Sequence, residues 1–142
     1  MTALLLSNAQ RARIEAEARA AFPRECCGLL EGVREGDTIR ILALHPARNL
    51  SSESDRFEID PADHFAALHA ARADGHTIVG CYHSHPNGKC EPSTRDGEGA
   101  WEEGFVWLIA ATRDGAVSLA AFVRKASAWQ KLAMRDIAEN AA

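Results

Sequence analysis

The stretch Gly80-Cys81-Tyr82-His83-Ser84-His85-Pro86-Asn87-Gly88-Lys89-Cys90-Glu91-Pro92-Ser93-Thr94-Arg95-Asp96 decides how the chain is read. Its two histidines close a run, Thr77 to His85, that reads as a β-strand. Period-2 geometry puts His83 and His85 on one face, so two imidazoles converge on one point at the strand's end. The turn-rich segment from Pro86 to Pro92 brings Asp96 back to that point, where it supplies an oxygen. Two nitrogens, one carboxylate and a place left for water describe a catalytic zinc site. Alone, His83 and His85 would read as surface histidines on an edge strand; Asp96 turns the pair into a ligand set.

Working outward, Ser93 with Asp96 forms a capping box, which starts a helix reaching to about Glu103 and carries Asp96 on its first turn. Gly97 and Gly99 weaken that helix. Upstream, Ser7 and Gln10 form a first capping box before a helix from about Asn8 to Ala21, with Ile14, Ala18, Ala21 and Phe22 at helical spacing and Pro23 blocking continuation. The apolar run Cys26 to Glu31 and the alternating Thr38 to Leu44, where Ile39, Ile41 and Ala43 share a face, flank a turn at Arg34 to Asp37 and form a hairpin. Ala47 to Asp55 is a polar loop able to cross the substrate side, and Arg56 to Ile59 a short strand. Asp60 caps a second helix with Pro61 at its first position, Phe65, Leu68 and Ala71 on its buried side and Gly75 at its end. Phe105 to Thr112 and Val117 to Val123 flank Asp114-Gly115, a strong hairpin signal. Trp101 and Trp107 are assigned to the core. Trp129 to Ile137 suits neither period cleanly. The order implies one α/β domain over residues 1–142, a mixed, mostly antiparallel sheet flanked by helices.

The spacing His83-Ser84-His85-Pro86, seven residues from Pro86 to Pro92, then Ser93-x-x-Asp96, resembles the JAMM (MPN-plus, Mov34/JAB-type) zinc metallopeptidases. That family also has an upstream glutamate in a Glu-x-Cys-Gly-Leu-Leu setting, matched by Glu25-Cys26-Cys27-Gly28-Leu29-Leu30. The resemblance runs from about Asn8 to Val123. It implies a cytidine-deaminase-like JAB/MPN fold, with 129–137 as a final strand, and one zinc ion held by His83, His85 and Asp96. Glu25 is then the general base, and the Ser93 hydroxyl hydrogen-bonds the oxyanion of the tetrahedral intermediate. From the residues alone, Ser93 reads equally well as a helix cap. Cys81 stands where many relatives carry tryptophan, a departure on the substrate side that leaves the ligands untouched.

The resemblance further implies a peptidase or isopeptidase acting at the C-terminal tail of a ubiquitin-like or sulfur-carrier protein, in the compact prokaryotic form. A cell-wall or phage-tail-type peptidase of the same family is the alternative. A non-catalytic scaffold of this fold typically lacks one or more motif residues, whereas all are present here. A zinc deaminase would need His-x-Glu and Pro-Cys-x-x-Cys, both absent from the sequence.

The net charge of -4 over 142 residues argues against a nucleic-acid partner. Phe105 to Ala111, the longest fully apolar run, cannot span a bilayer. The four cysteines, 26, 27, 81 and 90, show no Cys-x-x-Cys spacing and read as inert thiols, Cys90 included. Leu4 to Leu6, with no basic residue before it, is too short an apolar run to resemble a signal peptide, so the expected location is cytoplasmic, where the Asn49-Leu50-Ser51 sequon has no meaning. His45, His64, His69 and His76 are not spaced with the motif and receive no ligand role.

Overall fold

A computed structural model describes residues 2–137. In chain order the elements are β1 (Ala3–Ser7), α1 (Asn8–Ala21), β2 (Cys27–Glu35), β3 (Thr38–Ala47), α2 (Pro61–Ala73), β4 (Thr77–His85), α3 (Thr94–Gly99), β5 (Val106–Arg113), β6 (Ala116–Lys125) and β7 (Ala128–Ile137). The pairings β2–β3, β2–β4, β5–β6 and β6–β7 are antiparallel, and β1–β3, β1–β7 and β4–β5 parallel. The sheet is therefore mixed and mostly antiparallel, as the sequence implies, but it also closes into a barrel in the order β1-β3-β2-β4-β5-β6-β7. Closure rests on β1, a strand the sequence reading leaves out. Ala3, Leu4 and Leu6 are all buried, so the segment shows an unbroken apolar run instead of the alternation of a half-exposed strand.

Helix α1 lies against β1, β5 and β6, and α2 against β2, β3 and β4. The Ser7–Gln10 box closes in both directions, at 3.1 and 3.0 Å, and Ile14 and Ala18 enter the main core. Phe22, expected on that buried side, is exposed instead. Inside the same core Tyr82 is wholly buried, and its hydroxyl donates to Glu17 Oε1 on α1 at 2.8 Å, so one side chain fastens α1 to the middle of β4. The Tyr82 ring lies over Gly28 on β2, where a Cβ would stand 2.3 Å from it.

Two bulges re-aim side chains around Glu31. The β2–β4 register moves from Leu30↔Gly80 to Glu31↔Ile78, which leaves Val79 as an extra residue on β4. The β2–β3 register moves from Glu31↔Ala43 to Gly32↔Ile41, which leaves Leu42 extra on β3. Beyond Leu42 the alternation inverts: Ile39, Ile41 and Leu44 are buried, and Ala43, expected beside Ile41, is not.

Helix α2 begins at Asp60 as expected, with Oδ1 accepting from Ala62 N–H at 2.9 Å. Its buried face is Ala67 and Ala71, whereas Phe65 is 70% exposed and Leu68 46%. Small residues let the helix lie close to the sheet, and the large ones are left outside. Trp107 is buried as expected, but Trp101 is 84% exposed. Arg56 to Ile59 is not a strand; it makes a single bridge, Asn49↔Ile59. The Asp114-Gly115 hairpin forms with both residues at positive φ, 53° and 80°. Helix α3 stops at Gly99, short of Glu103.

Gly28→Ala is expected to destabilise the protein by about 2–3 kcal/mol in urea titration, because the methyl group meets the Tyr82 ring. Combining it with Tyr82→Leu should cost less than the sum of the two single changes. Additive losses would mean that the close approach does not set this packing.

Candidate active site

Strand β4 presents His83 and His85 on one face at its C-terminal end, both buried. Their Nε2 atoms are 3.0 Å apart. Asp96 Oδ2 lies 3.2 Å from His83 Nε2 and 3.0 Å from His85 Nε2. These spacings are close to the ligand–ligand edge of about 3.3 Å expected around a tetrahedral zinc with 2.0–2.1 Å bonds. His85 Nδ1 faces the Lys89 carbonyl at 2.8 Å, so Nδ1–H donates there and Nε2 keeps its lone pair for the centre. His83 Nδ1 is buried without a hydrogen-bond partner. Its ring is held by aromatic packing instead, stacked on Phe57 at 4.4 Å between centroids and edge-on to Trp107 at 5.7 Å.

Asp96 is aimed by the helix it begins. Ser93 Oγ accepts from Asp96 N–H at 3.0 Å, and Ser93 N–H donates to Asp96 Oδ2 at 2.9 Å, the reciprocal capping box expected. As a cap, Ser93 uses only acceptor capacity of its oxygen and keeps its own O–H as a donor. Capping and oxyanion donation are thus compatible in one side chain. Burial works against the Asp96 charge, but the two imidazoles held against it, His83 and His85, keep its carboxyl well below the usual range. Burial pushes His83 down; on His85, contact with Asp96 and Lys89 outweighs burial and holds it above its ordinary value.

Glu25 reaches the same point from the start of β2. The Ser84 hydroxyl accepts from Cys26 N–H at 2.7 Å, and Ser84 N–H donates to the Cys26 carbonyl at 3.1 Å, which fixes Glu25 against β4. A carboxylate oxygen of Glu25 lies within 4.8 Å of ring nitrogens of both histidines. Distance alone would let it compete as a ligand, but Asp96 is nearer to both Nε2 atoms. Glu25 Oε1 is buried without a partner, and burial pushes its pKa up to about 8, with His85 opposing the shift and Asp96 and Asp55 adding to it. A buried carboxyl with an unused oxygen beside converging imidazole lone pairs fits a bound cation and an adjacent proton acceptor. The donor set of two imidazoles and a carboxylate suits zinc.

A cleft of about 530 Å³ opens over these groups, lined among others by Phe22, Glu25, Asp55, His85, Ser93 and Arg95. The polar loop crosses this side as expected. It is pinned by Asn49, a residue the sequence reading dismissed with its sequon. Asn49 Nδ2 donates to the Glu25 carbonyl at 3.0 Å, and its Oδ1 accepts from the Ser51 and Glu58 amides at 2.9 Å each. Asn49, Phe57 and Ser84 all position the site and escape detection, because no spacing rule marks a lone polar or aromatic residue in a loop or a serine between two histidines. Cys81 packs with Leu29, Ala67 and Trp107, and Cys90 Sγ faces the Ile109 and Ser118 carbonyls at 3.7 and 3.5 Å. Burial raises both thiols, so both are inert.

Residues 7–128 match the family of prokaryotic homologues of the JAB domain. The chain is 39% identical over 88 residues to a desampylase of Haloferax volcanii, a match covering 61% of this chain and 62% of that protein. It is 38% identical over 84 residues to the tail tip assembly protein K of Escherichia phage N15, covering 58% of this chain and 30% of the phage protein. Both matches span less than two thirds of the relatives' length. A solution structure of a Desulfitobacterium hafniense protein superposes with a TM-score of 0.85 at 28% identity, covering 96% of this chain and 93% of that one.

In metal-free protein, Glu25 keeps a proton in the native state up to about pH 8 that the unfolded chain releases near pH 4.5. Native stability therefore falls as pH rises through that window. Glu25→Gln is expected to stabilise the chelator-treated protein at pH 7 by about 3 kcal/mol in urea titration, with little gain at pH 4.5. A destabilised variant at pH 7 would show that Glu25 is not held protonated by burial.

Proposed function

The chain belongs to the prokaryotic homologues of the JAB domain, and from that premise we propose that it is a zinc-dependent peptidase or isopeptidase. It hydrolyses an amide bond at the C-terminal tail of a ubiquitin-like or sulfur-carrier protein, as one domain over residues 1–142 working in the cytoplasm. The observation that carries this reading is the approach of His83 Nε2, His85 Nε2 and Asp96 Oδ2 to 3.0–3.2 Å beside the buried Glu25 carboxyl, with Glu25, His85 and Ser93 lining an open cleft. Among the described residues, no helix is long and apolar enough to cross a membrane.

His83, His85 and Asp96 hold one zinc, which supplies Lewis acidity that lowers the pKa of water to about 7 and polarises a carbonyl. Glu25 takes the proton of the attacking water on its unpartnered oxygen and returns it to the leaving amine. Its raised pKa puts it near the optimum for a group that must both accept and donate at neutral pH. Ser93 keeps Asp96 aimed and donates its free O–H to the developing oxyanion. The loop pinned by Asn49 walls the cleft over Glu25, leaving room for a short extended peptide. The desampylase relative supports the ubiquitin-like substrate. The phage tail protein favours a second reading, a cell-wall or phage-tail-type peptidase using the same centre.

Glu25→Gln is expected to retain the zinc content of the wild type and to stop cleavage of a ubiquitin-like protein fused through its C-terminus to a reporter. Normal cleavage, or loss of zinc together with activity, would refute the base assignment. A wild type that cleaves muropeptides and leaves the fusion intact would favour the second reading. Ser93→Ala should lower turnover about 100- to 1000-fold, whereas Ser93→Thr, which keeps both hydroxyl and cap, should recover most of it. If Ser93→Ala loses only about 1 kcal/mol of stability at unchanged turnover, Ser93 is a cap and nothing more.

A further inference from the structure

Away from the cleft, Glu31 is 1% exposed, yet no lysine or arginine lies within ion-pair distance of it among the described residues. The two bulges that flank it turn its carboxylate away from the regular ladder. There it meets His76 Nδ1 at 2.6 Å on Oε2 and His45 Nε2 at 2.8 Å on Oε1. Donor atoms of Glu31, Asp74 and His76 all lie within 4.8 Å of one another. Asp74 caps the C-terminal end of α2, its amide donating to the carbonyls of Ala70, Ala71 and Arg72. A carboxylate there adds to the negative pole of the helix instead of offsetting it, so this corner gathers two carboxylates and a helix C-terminus beside two imidazoles. His76 and His45 already favour the charged Glu31 carboxylate, and a cation would add to that at the helix's negative pole.

We propose that Glu31, Asp74 and His76 form a second divalent-metal site, of the class that accepts zinc, which fastens the end of α2 to the sheet. One imidazole and two carboxylates are borderline donors suited to zinc. His45 holds the other Glu31 oxygen and so orients the carboxylate from outside the ligand set. Glu31 is fixed by its strand; His76 is half-buried and Asp74 exposed, so both can open to the about 3.3 Å spacing that tetrahedral ligands require. The ligands come from β2 and from the α2–β4 connection. A tie at this place has a structural purpose, because α2 contributes only two alanines to the buried interior. Glu31 pairs with Ile78, five residues along β4 from His83, about 16 Å from the cleft's centre. The site is therefore independent of the proposed activity.

The test is zinc content per folded chain, by elemental analysis after equilibration with buffered zinc and gel filtration. It compares the full-length wild type with His76→Gln, Asp74→Asn and His83→Ala. Two equivalents in the wild type and one in each variant is the expected result. Addition of zinc should also raise the thermal midpoint of His83→Ala but not of His83→Ala/Asp74→Asn, a readout that does not depend on activity. One equivalent in the wild type and in His76→Gln, with none in His83→Ala, would overturn the second site, leaving a hydrogen-bonded clamp and the catalytic centre intact. Two equivalents in the wild type that survive both His76→Gln and Asp74→Asn would also overturn it. One equivalent kept by His83→Ala and lost by His76→Gln would sustain it and overturn the catalytic centre instead. Asp74 is on the surface, so Asp74→Asn gives an answer even where His76→Gln fails to fold.

Discussion

Two imidazole nitrogens 3.0 Å apart would repel through their lone pairs unless a proton or a cation lies between them. The arrangement persists because everything around it is fixed by other interactions: β4 by ladders on both sides, His85 by the Lys89 carbonyl, and His83 by stacking on Phe57 and the edge-on Trp107. Asp96 lies across from both nitrogens because the Ser93 cap starts α3 there. Burial pushes the His83 imidazole down, while on His85 contact with Asp96 and the Lys89 carbonyl outweighs burial and holds it up. A divalent cation held at these nitrogens, as proposed, would compete with protons for them, so its affinity would fall as the solution becomes acidic.

The barrel serves this centre by making β4 an interior strand, bonded to β2 on one side and to β5 on the other. Alternation along β4 sends Tyr82 into the main core under α1 and sends Cys81 and His83 toward α2 and the loop. The same strand thus carries the largest fully buried side chain among the described residues and two of the proposed ligands. A polar centre buried this deeply is costly unless its groups are paired, and among the described residues its buried atoms without a partner are His83 Nδ1 and a Glu25 carboxylate oxygen. The cost at Glu25 falls at the position proposed to move a proton, which is where an enzyme would concentrate it.

The convergence of His83, His85 and Asp96, the Ser93 box, the start of α2 and the Asp114-Gly115 turn were legible because each depends on residues a few positions apart. What was not legible depends on distant partners. β1 could not be read because closing a barrel buries both faces and erases alternation. Phe65 and Leu68 suggested the wrong face of α2, since the sheet accepts alanines at close range and hydrophobicity alone favours the larger side chains. Ala43 was misplaced by a bulge at Leu42 that no local residue announces. Asn49, Phe57 and Ser84 act through contacts across the fold, and His45 and His76, set aside for lack of motif spacing, meet Glu31 only when three elements come together.

The central claim is that His83, His85 and Asp96 bind zinc while Glu25 stands beside it unbound. It is tested most directly by a crystal structure of zinc-loaded protein with anomalous data collected at the zinc edge. The account predicts an anomalous peak about 2.0–2.2 Å from His83 Nε2, His85 Nε2 and an Asp96 oxygen, with the Glu25 carboxylate outside bonding distance. A peak bonded to Glu25 in place of Asp96, or no peak between the two histidines, would contradict it.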